Sequence, residues 1–299
     1  MVDIRNIAQE ADVNLMNLLM ETTSSIDYDQ LVSVLILQLI DEAEDTRTAA
    51  LEWLMVLHRK DAKKVFFPLG LFFNTPFIFL GTQIVQSEDE IFPALLKTLS
   101  DASEEVVRLD LRLLAQISLD ADDTHFKKFV TNLAGLFSTD RRLLENRGAL
   151  IVCQLCLSMG AERIYRVFAD VLQSEEDLEF GSLMVQHLNL ILLTAPEVSD
   201  LRKLLKNLRQ NTQGQKLFTA LYRSWSHNPV ATFSLCLIAQ LYEHACDLVQ
   251  IFSELEMTVL FLAEVDKLVQ LLESPIFACD LKNIFLFLLL TSILICGDF

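Results

Sequence analysis

The pair Cys153-Gln-Leu-Cys156 has the spacing in this sequence that most suggests a reactive site. Two thiols three positions apart can ligate zinc or cycle between dithiol and disulfide. A zinc centre needs four ligands, and no second CxxC or HxxxH lies near this one. The five histidines, His58, His125, His187, His227 and His244, form no close ligand cluster along the chain. Acidic groups at Glu88-Asp89-Glu90 and Glu175-Glu176-Asp177 fall where turns and helix starts are expected. Carboxylates suit that end of the helix dipole without any catalytic use. No GxSxG, GxGxxG, P-loop or HExxH motif occurs. The residues predict no catalytic centre, no metal site and no cofactor.

Binding residues are easier to nominate. The stretch Leu221-Tyr-Arg-Ser-Trp-Ser-His-Asn-Pro229 gathers Trp225, His227, Asn228 and Pro229 at one turn. Trp, Tyr and Arg are enriched at interface hot spots, although Trp225 also suits packing between helices. His227 fits a helix cap, a partner contact or a plain turn residue. Arg202, Lys206 and Arg209 recur at spacings of 4 and 3, so they share a helix face. Together with Lys203 they make the one basic cluster, facing either solvent or an acidic partner.

The elements that carry these residues are helices. Apolar residues recur at 3, 4 and 7 along most of the chain, as in Leu201, Leu204, Leu205 and Leu208. A larger repeat overlies this period. Leu37–Leu57, Leu96–Ile117 and Leu136–Leu157 each read as an apolar helix, a short acidic turn and a second apolar helix. Asp41, Asp101 and Asp140 align, as do Leu51, Leu111 and Leu150. In that alignment Cys153 falls on Leu54 and Leu114, and Cys156 on Leu57 and Ile117, so both thiols are expected in the core. Leu235–Leu241 nearly repeats Leu111–Ile117, and a looser copy begins at Gly181.

Asp101 to Asp140 spans 39 residues, and Leu111 to Leu235 spans three units of about 41. Helix pairs at this period predict an all-α, HEAT- or armadillo-like solenoid. Such pairs bury their apolar faces by stacking, and their long surfaces hold other proteins. Asp41 to Asp101 spans 60 residues. The excess coincides with the Phe-rich Val65–Ile84, which reads as an insertion at a repeat junction, either a loop or translated sequence that the fold never required.

Composition agrees. The 299 residues are 52% hydrophobic with only 8 Gly and 6 Pro, a balance that favours long helices over sandwiches or barrels. A net charge of −17 disfavours nucleic-acid binding and unaided docking on an anionic membrane. Six cysteines are too few for a disulfide scaffold, and no signal peptide is visible, so a reduced cytoplasmic setting is expected. Ile284–Cys296 is apolar but shorter than the ~20 residues a membrane span requires.

Four long stretches resemble one family of scaffold proteins, the Vac-fourteen vacuole-morphology family. They are Phe137–Cys156, Glu175–Thr194, Leu221–Ala245 and Thr258–Phe277. Thr46–Lys60 and Leu95–Ser118 resemble the preceding HEAT repeats of that family. The resemblance implies HEAT-like repeats over residues 1–124 and a phosphatase-binding region over 125–277, while the atypical apolar tail at 278–299 resembles nothing in the family. It further implies a non-catalytic scaffold that holds a FYVE-type phosphoinositide 5-kinase and an opposing Sac-domain 5-phosphatase. Such a complex controls phosphatidylinositol 3,5-bisphosphate on endosome and vacuole membranes, with the scaffold peripheral and attached through its partners. Self-association through the carboxy-terminal region is also a family trait. The rival reading is a general HEAT adaptor for cargo peptides. A small membrane protein built on Ile284–Cys296 and an enzyme are further alternatives.

Overall fold

Short acidic turns set the architecture. Asp41 accepts the amide of Ala43 at 2.8 Å, Asp101 that of Ser103 at 2.8 Å, and Asp140 that of Leu143 at 3.1 Å. Each side chain thereby satisfies a donor that the following helix leaves open. These turns belong to a computed structural model that describes residues 2–22, 27–66, 91–120, 123–208, 211–253 and 259–272. The regular structure of the described residues is helical, with no strand among them. They form two compact units, Met1–Leu143 and Leu144–Phe299.

The first unit contains α1 (Val2–Glu21), α2 (Tyr28–Gln38), α3 (Glu44–Phe66), α4 (Ile91–Thr98), α5 (Glu104–Asp120) and α6 (Asp123–Thr139). The pairs α2–α3 and α4–α5 stack with α3 on α5 and α2 on α4. Leu51, Leu54 and Leu57 of α3 and Leu111, Leu113 and Leu114 of α5 are buried. Arg47 bolts the two acidic turns together. It meets Asp101 at 2.7 and 3.0 Å and donates to the carbonyls of Asp41 and Glu42 at 2.8 and 2.9 Å. Ser103 adds a 2.6 Å bond to Glu44. The two pairs are therefore direct neighbours although residues 67–90 intervene. The expected insertion at 65–84 lies outside the described residues, apart from Val65 and Phe66, which complete α3. On α1, Asp12 accepts from the indole of Trp53 at 2.7 Å, and Lys60 reaches the terminal carbonyls of Leu19 and Thr22.

The second unit takes in nearly all of α7 (Arg141–Met159), then α8 (Ala161–Leu172), α9 (Leu178–Thr194) and a 3-10 turn at Pro196–Val198. It continues with α10 (Ser199–Lys206), α11 (Thr212–Trp225), α12 (Pro229–Ile238), α13 (Tyr242–Ser253) and α14 (Val259–Leu272). Stacking repeats the rule of the first unit, with α8 on α11 and α9 on α12. The extra helix α10 abuts α11 where Gly214 lies. A Cβ there would stand 2.8 Å from the carbonyl oxygen of Leu204. Of the four leucines expected to share a face, Leu201, Leu205 and Leu208 are buried and Leu204 is half-buried.

Two sequence parallels end differently. Leu111–Ile117 lies inside α5, whereas its near-copy Leu235–Leu241 contains the end of α12. There Gln240 takes a φ of 57°, and the amide of Leu241 closes on the carbonyl of Cys236 at 2.9 Å. This is a Schellman stop, and the matching segment of α5 runs on through Asp120. Cys156 is buried, while Cys153 is only half-buried, unlike Leu54 and Leu114 at the matching positions. Burial pushes the Cys153 thiol up to about 11 and Cys156 to about 12, so both stay protonated and unreactive at neutral pH. Among the described residues no single helix is long and apolar enough to cross a membrane. Ile284–Cys296 and the tail at 278–299 lie outside them.

Candidate partner-binding surface

Two turns meet at His227. Asp177 caps α9 by accepting the amides of Glu179 and Phe180 at 3.0 and 3.1 Å. Asn228 caps α12 by accepting the amide of Ala231 at 2.9 Å, with Pro229 pre-set for the first helical position. The α11–α12 turn then packs on the α8–α9 turn. His227 Nε2 lies 2.9 Å from the carbonyl oxygen of Leu172, the last residue of α8. Its ring rests on Gly181 in the first turns of α9, where a Cβ would come within 3.2 Å of the imidazole. Asn228 Nδ2 donates to the Ser182 hydroxyl at 3.4 Å, and Gln173 donates to the carbonyl of Ala220 at 3.3 Å. A single ridge of two clamped turns results.

Trp225 anchors this ridge from inside. It is fully buried, with its ring centroid 6.3 Å from that of Tyr165. Its indole donates to Asn189 at 3.4 Å, and Asn189 also accepts from Ser234 at 2.7 Å. The Thr232 hydroxyl lies 2.7 and 3.0 Å from the carbonyls of Trp225 and Asn228, with its one hydrogen shared between them. Tyr165 donates to the carbonyl of Leu188 at 2.9 Å. Buried polar atoms that are all satisfied in this way fix one arrangement of the helices around them. Trp225 and Asn228 are thus buried and hold the two turns in shape.

The basic cluster is also redistributed. Arg202 turns inward and donates to the carbonyls of Leu192 and Ala195 at 2.9 and 2.7 Å, closing the end of α9. Burial lowers its pKa. Lys203 pairs with Asp200 at 2.8 Å in the open. Lys206 is half-exposed on the same helix, and Arg209 lies outside the described residues. The structure joins Trp225, His227, Asn228 and Pro229 at one ridge, and sets Arg202 to a structural task at the end of α9.

The surface of the ridge consists of Arg223 and Ser226, the half-exposed His227 and Pro229, and on the adjoining turn Ser174, Glu176, Asp177 and Leu178. Leu178 is 70% exposed, an apolar knob beside charges of both signs. Sequence reasoning missed it, although a signal exists: Leu178 is out of phase with the buried Phe180, Met184 and Leu188. Gly181 and Asn189 were missed because their partners lie 36 to 46 positions away. Chemically, the ridge is suited to rigid complementarity with a protein. Among the described residues no group of His, Cys, Asp and Glu could hold a metal ion.

Stacked helix pairs joined by clamped turns define a helical-repeat protein. Comparison with known proteins places it more narrowly. Residues 141–284 match the family described as "Vacuolar protein 14 C-terminal Fig4p binding". The chain is 42% identical over 274 residues to "Protein VAC14 homolog" of Arabidopsis thaliana, covering 92% of this chain and 34% of that protein. It is 41% identical over 257 residues to "Protein VAC14 homolog" of Schizosaccharomyces pombe, covering 86% and 29%. It is 32% identical over 257 residues to "Vacuole morphology and inheritance protein 14" of Saccharomyces cerevisiae, covering 86% and 27%. No solved structure matches. The chain is thus similar to Vac14 proteins over most of its length, and it spans about a third of the length of the curated relatives it matches. The matched domain begins at residue 141, beside the division between the two compact units.

Proposed function

We propose that this chain is a non-catalytic scaffold of the complex that makes and removes phosphatidylinositol 3,5-bisphosphate. Its repeats at 1–124 and its region at 125–277 hold a FYVE-type phosphoinositide 5-kinase and a Sac-domain 5-phosphatase by surface complementarity, with no bond chemistry of its own. The observation that carries this reading is the match of residues 141–284 to a domain described by its binding of Fig4p. The ridge at His227 and Leu178 lies inside that domain and supplies a rigid contact surface. Lys206 extends the candidate surface along α10, Trp225, Asn228, Pro229 and Arg202 hold it in shape, and Arg209, outside the described residues, remains a candidate from the sequence alone. The scaffold is cytoplasmic and reaches the endosome or vacuole membrane through its partners.

Tagged co-purification from cells, followed by mass spectrometry, tests this reading. Recovery of both lipid enzymes is expected. Recovery of transport cargo or coat components without either enzyme, from a soluble helical chain, would favour the general adaptor instead.

A further inference from the structure

Asp110 sits on α5 in the first unit with no exposed surface. Neither oxygen of its carboxyl group accepts a hydrogen bond. A charged carboxylate in that position is expensive, whereas a neutral acid is tolerable. The side chain within its hydrogen-bonding reach is Thr98 of α4. The Thr98 hydroxyl already donates to the carbonyl of Leu95 at 2.7 Å. A hydroxyl has one hydrogen, so Thr98 presents Asp110 with a lone pair. A protonated carboxyl can donate into that lone pair, and a carboxylate cannot. At the matching position of the preceding repeat stands Ala50, also buried. The acid therefore occupies a place where the repeat needs only a small side chain.

We propose that Asp110 is held as a neutral acid at neutral pH and makes the α4–α5 helix pair pH-responsive, tighter in acid and looser as its proton is lost. Burial pushes its carboxyl well above the ordinary value of 3.8, and the charge of Asp101 pushes the same way. Thr98 turned toward the carboxyl would pull in the other direction, at the loss of its bond to Leu95. The elements packed against α5 bring few charges inward. Arg47 of α3 is engaged by Asp101, Lys97 of α4 is exposed, and Lys128 of α6 is half-exposed. His58 of α3 is buried and titratable, so the effect of Asp110 is read as a difference from a matched variant.

The sign follows from linkage. Unfolded Asp110 ionises near 3.8, while the folded side chain keeps its proton to a higher pH. Between those values unfolding releases a proton, and the folded-to-unfolded ratio falls by up to about tenfold per pH unit.

The test compares the full chain with Asp110→Asn, which keeps the shape and cannot ionise. Hydrogen exchange of α4–α5 peptides, corrected for the intrinsic pH dependence of exchange, reads the first unit. Peptides of α8 and α12 serve as the internal control. Relative to Asp110→Asn, wild-type stability is expected to fall by as much as about 100-fold between pH 5 and pH 7. Parallel pH curves for the two proteins would overturn the proposal. If the amide does not fold in that site, Asp110→Ala takes its place. Infrared spectra at pH 7 should then show a protonated-carboxyl stretch in the wild type that the alanine variant lacks. Absence of that band would equally overturn it.

Discussion

Replacing Gly181 by Ala tests whether the two turns of the ridge are mechanically joined. Alanine in place of glycine within a helix gains about 0.5–1 kcal/mol from backbone entropy. Here the new Cβ would stand 3.2 and 3.3 Å from Cγ and Nδ1 of the His227 ring, so the ring must give by a few tenths of an ångström. Shifting strains the 2.9 Å contact between Nε2 and the Leu172 carbonyl, a bond with a net contribution of about 0.5–1.5 kcal/mol. Gain and loss nearly cancel, so Gly181→Ala alone should leave stability within about 0.5 kcal/mol of wild type. In a His227→Ala background the clash is gone, and the same substitution should stabilise by the full ~0.5–1 kcal/mol. The double-mutant cycle thus predicts a coupling of about 1 kcal/mol. Urea unfolding of the four proteins measures it, with Trp225 fluorescence reporting on the second unit and Trp53 on the first. Equal stabilisation in both backgrounds, with coupling below about 0.3 kcal/mol, would show that the ring moves aside freely and that the clamp does not exist.

Other outcomes follow from the same contacts. Asn189→Leu strands the Trp225 indole N–H in the core and should cost about 1–3 kcal/mol, while Ser234 can turn its hydrogen to the carbonyl of Ala231 at 2.8 Å; urea midpoints measure the loss. Arg47→Met removes the bolt between the turns of the first two repeats and the cation beside Asp101, so hydrogen-exchange protection in α4–α5 should fall by about 1–2 kcal/mol with the second unit unchanged. Deleting residues 67–84 should raise soluble yield, because α3 already stacks on α5 without a gap; equal or lower yield would count against an insertion at this junction. Gln240→Gly relieves a left-handed backbone and should stabilise the second unit by about 0.5–1 kcal/mol in thermal unfolding.

Much of the fold is written in local pattern. The aligned Asp41, Asp101 and Asp140 all serve as turn caps, and Leu51 and Leu111 are core residues. Leu150 is only half-buried, because the period fixes which face a residue takes but not how well the next repeat covers it. The site was less legible. A tryptophan next to a turn reads equally as anchor or as core, and the choice was made by Asn189, 36 positions upstream. Arg202 lies on the basic face of its helix, yet the bend after α9 brings open carbonyls within its reach. That bend, 84° between α9 and the segment that follows, depends on packing that periodicity does not encode. Leu178 could have been found as an apolar residue out of register with its own helix.

The proposed function rests on the second unit presenting a phosphatase-binding surface. Its most direct measurement is the binding of the purified full chain to the purified Sac-domain phosphatase, for the wild type and for Leu178→Ser. The substituted side chain is 70% exposed, so folding stability should not change. The account predicts a stable complex for the wild type and affinity weakened about tenfold or more for Leu178→Ser, the loss expected of an apolar anchor worth more than about 1 kcal/mol. A folded wild-type chain that does not bind the phosphatase would contradict the account, and undiminished binding by Leu178→Ser would remove the ridge from it.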